Sequence, residues 1–219
     1  MTLIGRLTSM PRLHQIRLAH VLLPEAAVEA TAQQIDAFGV GPDAMLQLVE
    51  SLGRNRTIAA ADLMVRIAGM ENLTPDVRGA AIRFLRDNSY DDWKEIRKTQ
   101  TLKDVVVAAL ADDALQSAAL LFVRDLRDDV FVEPLLAIVE KATDSDQRAE
   151  LIDALSHYDT QAVRSLLMQE IKSESAAARV TALNAMIRMS SLEMLDKVLW
   201  DESIEIDMRK EGDGQLERM

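Results

Sequence analysis

The sequence predicts an all-α protein assembled from repeated helix pairs, and three observations carry that prediction. Of its 219 residues, 48 % are apolar, drawn mainly from Ala, Leu, Ile, Val and Met, which fill helix–helix contacts. A chain this long and this apolar is not disordered and can bury a substantial core. Turn chemistry is scarce: 8 Gly and 5 Pro are too few for a many-stranded sandwich or barrel. The third observation is an internal repeat.

Four segments align without gaps over eight positions: 78–85 (RGAAIRFL), 116–123 (QSAALLFV), 148–155 (RAELIDAL) and 179–186 (RVTALNAM). The first position holds Arg78, Gln116, Arg148 or Arg179. The fourth is small or medium apolar (Ala81, Ala119, Leu151, Ala182), and the eighth is large and apolar (Leu85, Val123, Leu155, Met186). Residues four apart share a helical face, one turn apart. The blocks start 38, 32 and 31 residues apart, a spacing typical of solenoids.

Taken in order, helices are expected over 24–38, 41–52 and 56–70, without the anchor spacing of the later blocks. Thr74-Pro75-Asp76 then supplies an N-cap with Pro at the first helical position, opening the first clear repeat. Asp112-Asp113, Asp144-Ser145-Asp146 and Ser173-Glu174-Ser175 open the other three. A second amphipathic run follows each block: 91–110 (interrupted near 99–101), 130–142, 161–172 and Leu192–Trp200. In 130–142, Phe131, Leu135, Ile138 and Ala142 recur at helical spacing, with Asp129, Glu133, Glu140 and Lys141 mostly on the other side. The recurring Arg is expected to bond backbone carbonyls or carboxylates at the turn between repeats. Trp200 lies off the Leu192–Leu195–Leu199 stripe, either as a partner anchor or as a cover for the last repeat.

These residues resemble a known family. Pro75-Asp76-Val77-Arg78-Gly79-Ala80-Ala81 with Leu85, and Ala177-Ala178-Arg179-Val180-Thr181-Ala182-Leu183, look like first helices of HEAT repeats. The likeness is good over 74–200 and weaker over 24–70. It implies a right-handed α-solenoid of about six antiparallel helix pairs, second helices lining a concave face. The expected organisation is one HEAT-like domain over 1–203, with capping helices in 1–73, clear repeats in 74–200 and a charged, disordered tail over 204–219.

Charge is divided along the chain. Residues 1–110 carry 13 basic and 13 acidic side chains; residues 111–219 carry 12 and 23, which accounts for the whole net charge of −11. An acidic half repels phosphate backbones, so no nucleic-acid partner is expected, and it attracts a basic surface. The alternative is a solvated face that keeps an apolar stack soluble. The absence of Cys removes disulfides, thiolate metal sites and cysteine nucleophiles, and suits a reducing cytoplasm. No 18-residue apolar run exists to span a membrane. Residues 1–23 carry Arg6, Arg12 and Arg17 and no acid, either a first helix with a basic face or a targeting or membrane-surface segment.

Catalytic motifs are missing. GxGxxG, GxxxxGK[ST], GxSxG and HExxH do not occur. His14 and His20 are expected as ordinary histidines, and His157 as an imidazolium meeting a helix C-terminus. Asp91-Asp92, Asp112-Asp113 and Asp128-Asp129 read as helix-start carboxylates. No cofactor or metal is implied. HEAT-fold deoxyhypusine hydroxylases carry His-Glu pairs, which this chain lacks; HEAT-like DNA glycosylases use a basic groove with aromatics, against which stand two distant indoles, Trp93 and Trp200. A phycobilin-lyase-type assembly factor is the runner-up. The favoured expectation is a non-enzymatic scaffold or adaptor binding a basic or amphipathic segment. Its contact residues would be Asp129, Glu133, Glu140, Gln161, Arg164, Gln169, Glu193, Asp196, Lys197 and Trp200.

Overall fold

The computed structural model describes residues 19–36, 41–189 and 191–200; nothing is described of the side chains of Leu192, Glu193 and Leu199. Expectations for 1–18 and 204–219 lie outside the described residues. Helices α1 (Pro24–Asp36), α2 (Pro42–Leu52), α3 (Ile58–Gly69), α4 (Pro75–Asn88), α5 (Gln100–Leu110) and α6 (Gln116–Leu126) follow one another, with a 3₁₀ segment η1 (Lys94–Lys98) before α5. Then come the 3₁₀ turn η2 (Asp129–Phe131), α7 (Val132–Lys141), α8 (Ser145–Leu155), α9 (Gln161–Glu170), α10 (Ala176–Arg188) and α11 (Leu192–Trp200). No strand occurs among the described residues. The chain is all-helical, as its composition and periodicity predict. The expected interruption near 99–101 falls at Thr99, which ends η1 and caps α5.

Helix starts are set by side-chain caps. The hydroxyls of Thr57, Thr99, Thr160 and Ser175 accept from the backbone N–H three residues on, at 3.2–3.4 Å. Asp144 accepts from the N–H groups of Asp146 and Gln147. Each such cap satisfies a donor that the helix itself leaves free and is worth about 1 kcal/mol. Thr74 makes no side-chain cap, and α4 starts on Pro75. That costs little, because proline has no N–H to satisfy and its fixed φ already suits a helix.

Every fourth and eighth position of the repeat is buried: Ala81, Ala119, Leu151 and Ala182, with Leu85, Val123, Leu155 and Met186. The first position does one job four times over. Arg78 Nε donates to the Ala68 carbonyl at 3.1 Å, Gln116 Nε2 to that of Leu110 at 2.9 Å, and Arg148 Nη1 to that of Val139. Arg179 Nη1 donates to the carbonyls of Ser173 and Glu174, at 2.9 and 3.0 Å. In each case a side chain from one helix donates to carbonyls at the end of, or just after, the preceding one, where intrahelical donors run out.

The contacts divide into two compact units, and the division falls between Phe122 and Val123, inside α6. It does not coincide with the change from divergent to regular repeats at residue 74. In the first unit α3 packs on α1, α2, α4 and α5, and α2 packs on α4. In the second, α8 packs on α7 and α10, while α9 and α10 both pack on α11.

The first unit is tied by a buried, uncharged network. His20 Nε2 meets Thr31 Oγ1 at 3.1 Å, and that hydroxyl donates to the Ala27 carbonyl, so Nε2 carries the proton. Nδ1 then accepts from Asn55 Nδ2 at 3.0 Å. Asn55 also donates to the Pro24 carbonyl, its Oδ1 accepts from Thr57, and its backbone carbonyl accepts from Trp93 Nε1. Burial holds the His20 pKa below the usual 6.5, in keeping with a neutral ring. Gly53, after α2, is packed under the Phe84 ring; a Cβ there would sit 2.3 Å from Phe84 Cδ1.

The second unit is tied by ions. Arg148 pairs through two nitrogens with Glu170, which is buried. Asp153 on α8 bridges Arg124 of α6 at 3.1 Å and Arg188 of α10 at 2.8 Å. Tyr158 Oη donates to the Val123 carbonyl at 2.7 Å, and burial first, then Asp128 and Asp129, raise its pKa above the normal phenol range.

Candidate functional site

Short turns, capped at both ends, hold the second-unit helices whose polar residues form the candidate surface. Asp128 accepts from the Val130 N–H and fixes η2, leaving Asp129 exposed before α7. Glu133 in the first turn of α7 and Glu140 two turns later are both exposed, and their spacing of seven places them on one face. The opposite side of α7 buries Val132, Leu135 and Val139. Asp129, Glu133 and Glu140 have no ion-pair partner among the described residues. That separates them from Asp112, Asp153, Asp159 and Glu170, each engaged by an arginine.

On α9, Gln161 and Gln169 are exposed and Arg164 is half-buried. Arg164 grips Asp159 with two bonds of 2.7 and 3.0 Å, which hold the Asp159 carboxyl below the usual range. Its guanidinium is therefore already engaged at the start of the helix. On α11, Met194, Leu195 and Val198 are buried, while Asp196, Lys197 and Trp200 are exposed. Glu193 is on this helix, its side chain outside the described residues. Trp200 is 79 % exposed, and its Nε1 donates to Asp196 Oδ1 at 3.1 Å. Trp200 is thus exposed on α11 while Met194, Leu195 and Val198 are buried.

His157 corrects an expectation. It follows α8, where an imidazolium would meet the helix end favourably. Burial, and then the charges of Arg124 and Arg188, lower its pKa despite Asp153, with Arg127 adding to the effect. Burial first, and then three guanidinium charges, disfavour the imidazolium expected there. Its Nε2 is buried without a hydrogen-bond partner among the described residues.

Two features were not visible in the sequence. The network of His20, Thr31, Asn55 and Trp93 joins residues up to 38 apart, and no local spacing announces it. It also withdraws Trp93 from any exposed groove, since that indole is fully buried. The second feature is a cleft of about 440 Å³ in the first unit, between α3, η1 and α5. Val65, Met70, Ile96 and Val105 line it with Asp62 and Arg66, and Arg66 is paired with Asp36. Among the described residues no three His, Asp or Glu side chains converge to hold a metal ion, and no helix is long and apolar enough to cross a membrane.

No family model matches the chain, and no solved structure matches it. Over 120 residues, 52 % of the chain, it is 32 % identical to the RNA polymerase-associated protein RapA of Pectobacterium carotovorum. The match spans 12 % of that protein's length.

Proposed function

We propose that the chain is a HEAT-like α-solenoid scaffold, working without catalysis in the cytoplasm, that holds a basic segment of a partner protein. The observation that carries this reading is a set of exposed acids without ion-pair partners among the described residues, Asp129 just before α7 and Glu133 and Glu140 on its polar face. Asp153 and Glu170 are consumed in ties between helices, whereas these three are left to attract an outside cation. The fourfold Arg or Gln bond to carbonyls of the preceding turn supports the stacked-pair arrangement, because it repeats one contact at intervals of 38, 32 and 31 residues. Rigid helices side by side offer an extended or helical peptide a long contact surface.

The test is association with a basic amphipathic peptide. Reversing Glu133 and Glu140 to Lys should slow association several-fold, and raising salt should do the same to the unaltered chain. Association rates indifferent to both changes sink the electrostatic reading.

The similarity to RapA favours a second reading, in which the partner is RNA polymerase. Co-purification of the full chain with core RNA polymerase tests it. If no complex survives gentle, low-salt gel filtration, this reading fails.

A further inference from the structure

We infer that Trp200 and Asp196 form a docking point for a single cationic side chain, preferably arginine, of the partner; this rests on the basic-partner reading and narrows it. Two aromatic side chains are strongly exposed among the described residues, Tyr90 and Trp200. Tyr90 already carries a cation, the Arg97 guanidinium, 4.4 Å from its ring centroid. Among the described residues no cation stacks on Trp200, although its indole is the more exposed ring and the stronger cation acceptor.

The ring is also held for the purpose. Its Nε1 bond to Asp196 Oδ1, one turn back on α11, limits rotation of the side chain and keeps a carboxylate beside the indole. A carboxylate has about four acceptor positions, so one N–H leaves room for a guanidinium fork. Ring face and carboxylate attract the same ligand charge. Arginine suits them better than lysine, because its planar cation stacks on an indole while donating to a carboxylate.

The chain contains two tryptophans, which makes the proposal directly readable. Trp93 is buried with its Nε1 bonded to the Asn55 carbonyl, so its indole N–H resonance reports the fold, and that of Trp200 reports the site. The full chain, labelled with ¹⁵N, is titrated with an acetylated hexa-arginine amide and with its uncharged hexa-citrulline counterpart. The arginine peptide should move the Trp200 indole signal and leave that of Trp93 in place, while the citrulline peptide moves neither. Trp200→Ala should weaken arginine-peptide binding about two- to fivefold, Trp200→Phe less, and Asp196→Asn in the same direction. If the arginine peptide shifts the amides of Glu133 and Glu140 but not the Trp200 indole, the docking point is wrong and the basic-partner reading stands. If citrulline moves the indole equally, a cation is not what the site selects, and the proposal is overturned. If the arginine peptide perturbs nothing, both the docking point and the basic-partner reading fall.

Discussion

The two units join their helices by the same backbone device, but the polar groups that they bury differ. In both, the first residue of a repeat block donates to carbonyls at the end of the preceding helix: Arg78 and Gln116 in one unit, Arg148 and Arg179 in the other. Around that shared bond the first unit buries neutral groups, His20, Thr31 and Asn55, each satisfied by another, beside one part-buried ion pair, Arg78 with Asp112. The second unit uses charges, Arg148 with Glu170, and Asp153 between two arginines. A neutral buried network costs less desolvation than an ion pair but depends on every member being present. The two units should therefore fail differently.

The largest effect should come from breaking the buried ion pair. Arg148→Met leaves the Glu170 carboxylate buried and alone, and should destabilise the chain by about 3–5 kcal/mol in urea unfolding. Replacing both partners, Arg148→Met with Glu170→Leu, should recover most of that loss. If the double variant is as unstable as the single one, the pair is not what holds α8 to α9. Next, Asn55→Ala should cost about 2–3 kcal/mol, since it strands His20 Nδ1 and the Pro24 carbonyl in a buried site. That loss should show as faster amide exchange in α1 and α3.

Acid should weaken each unit through a histidine of lowered pKa, His20 in the first and His157 in the second. The folded His20 pKa lies below that of the unfolded chain, so the unfolded state takes up a proton first as pH falls. Stability from this site is complete above pH 6.5 and is lost as pH drops below it. Amide protection in α1 and α3 measured between pH 7.5 and 5.5 should fall, and His20→Gln should flatten the slope. The smallest effect belongs to the exposed Arg66–Asp36 pair, where Arg66→Gln should change stability by less than about 1 kcal/mol. A larger loss would give that pair, at the rim of the cleft, a structural weight its exposure does not suggest.

What could be read from the sequence follows from how local each feature is. The blocks at 78, 116, 148 and 179 recur at one-turn spacing, so their helices, their buried fourth and eighth positions and the carbonyl bonds of their first residue were all foreseeable. The His20–Asn55 bond joins two residues 35 apart in helices without that anchor pattern, and neither residue looks unusual in its own stretch. His157 misled for a related reason. Its local setting, a helix end, favours a cation, but burial first, and then Arg124 and Arg188 arriving from α6 and α10, disfavour one. The polar residues of the candidate surface were legible as a face, whereas which of them are already spent on neighbours was not: Arg164 is taken by Asp159, and Glu133 and Glu140 are not taken at all.

The longest hydrogen bond described above, from Trp93 to Asn55, spans 38 residues. For a polypeptide leaving a ribosome at 5–20 residues per second, the second partner of such a bond emerges about 2 to 8 s after the first. Each helix can therefore find its neighbour while synthesis is still under way. A nascent chain wired over such short intervals exposes only its newest apolar stripe at any moment, which shortens the time in which a chaperone or an aggregate could capture it.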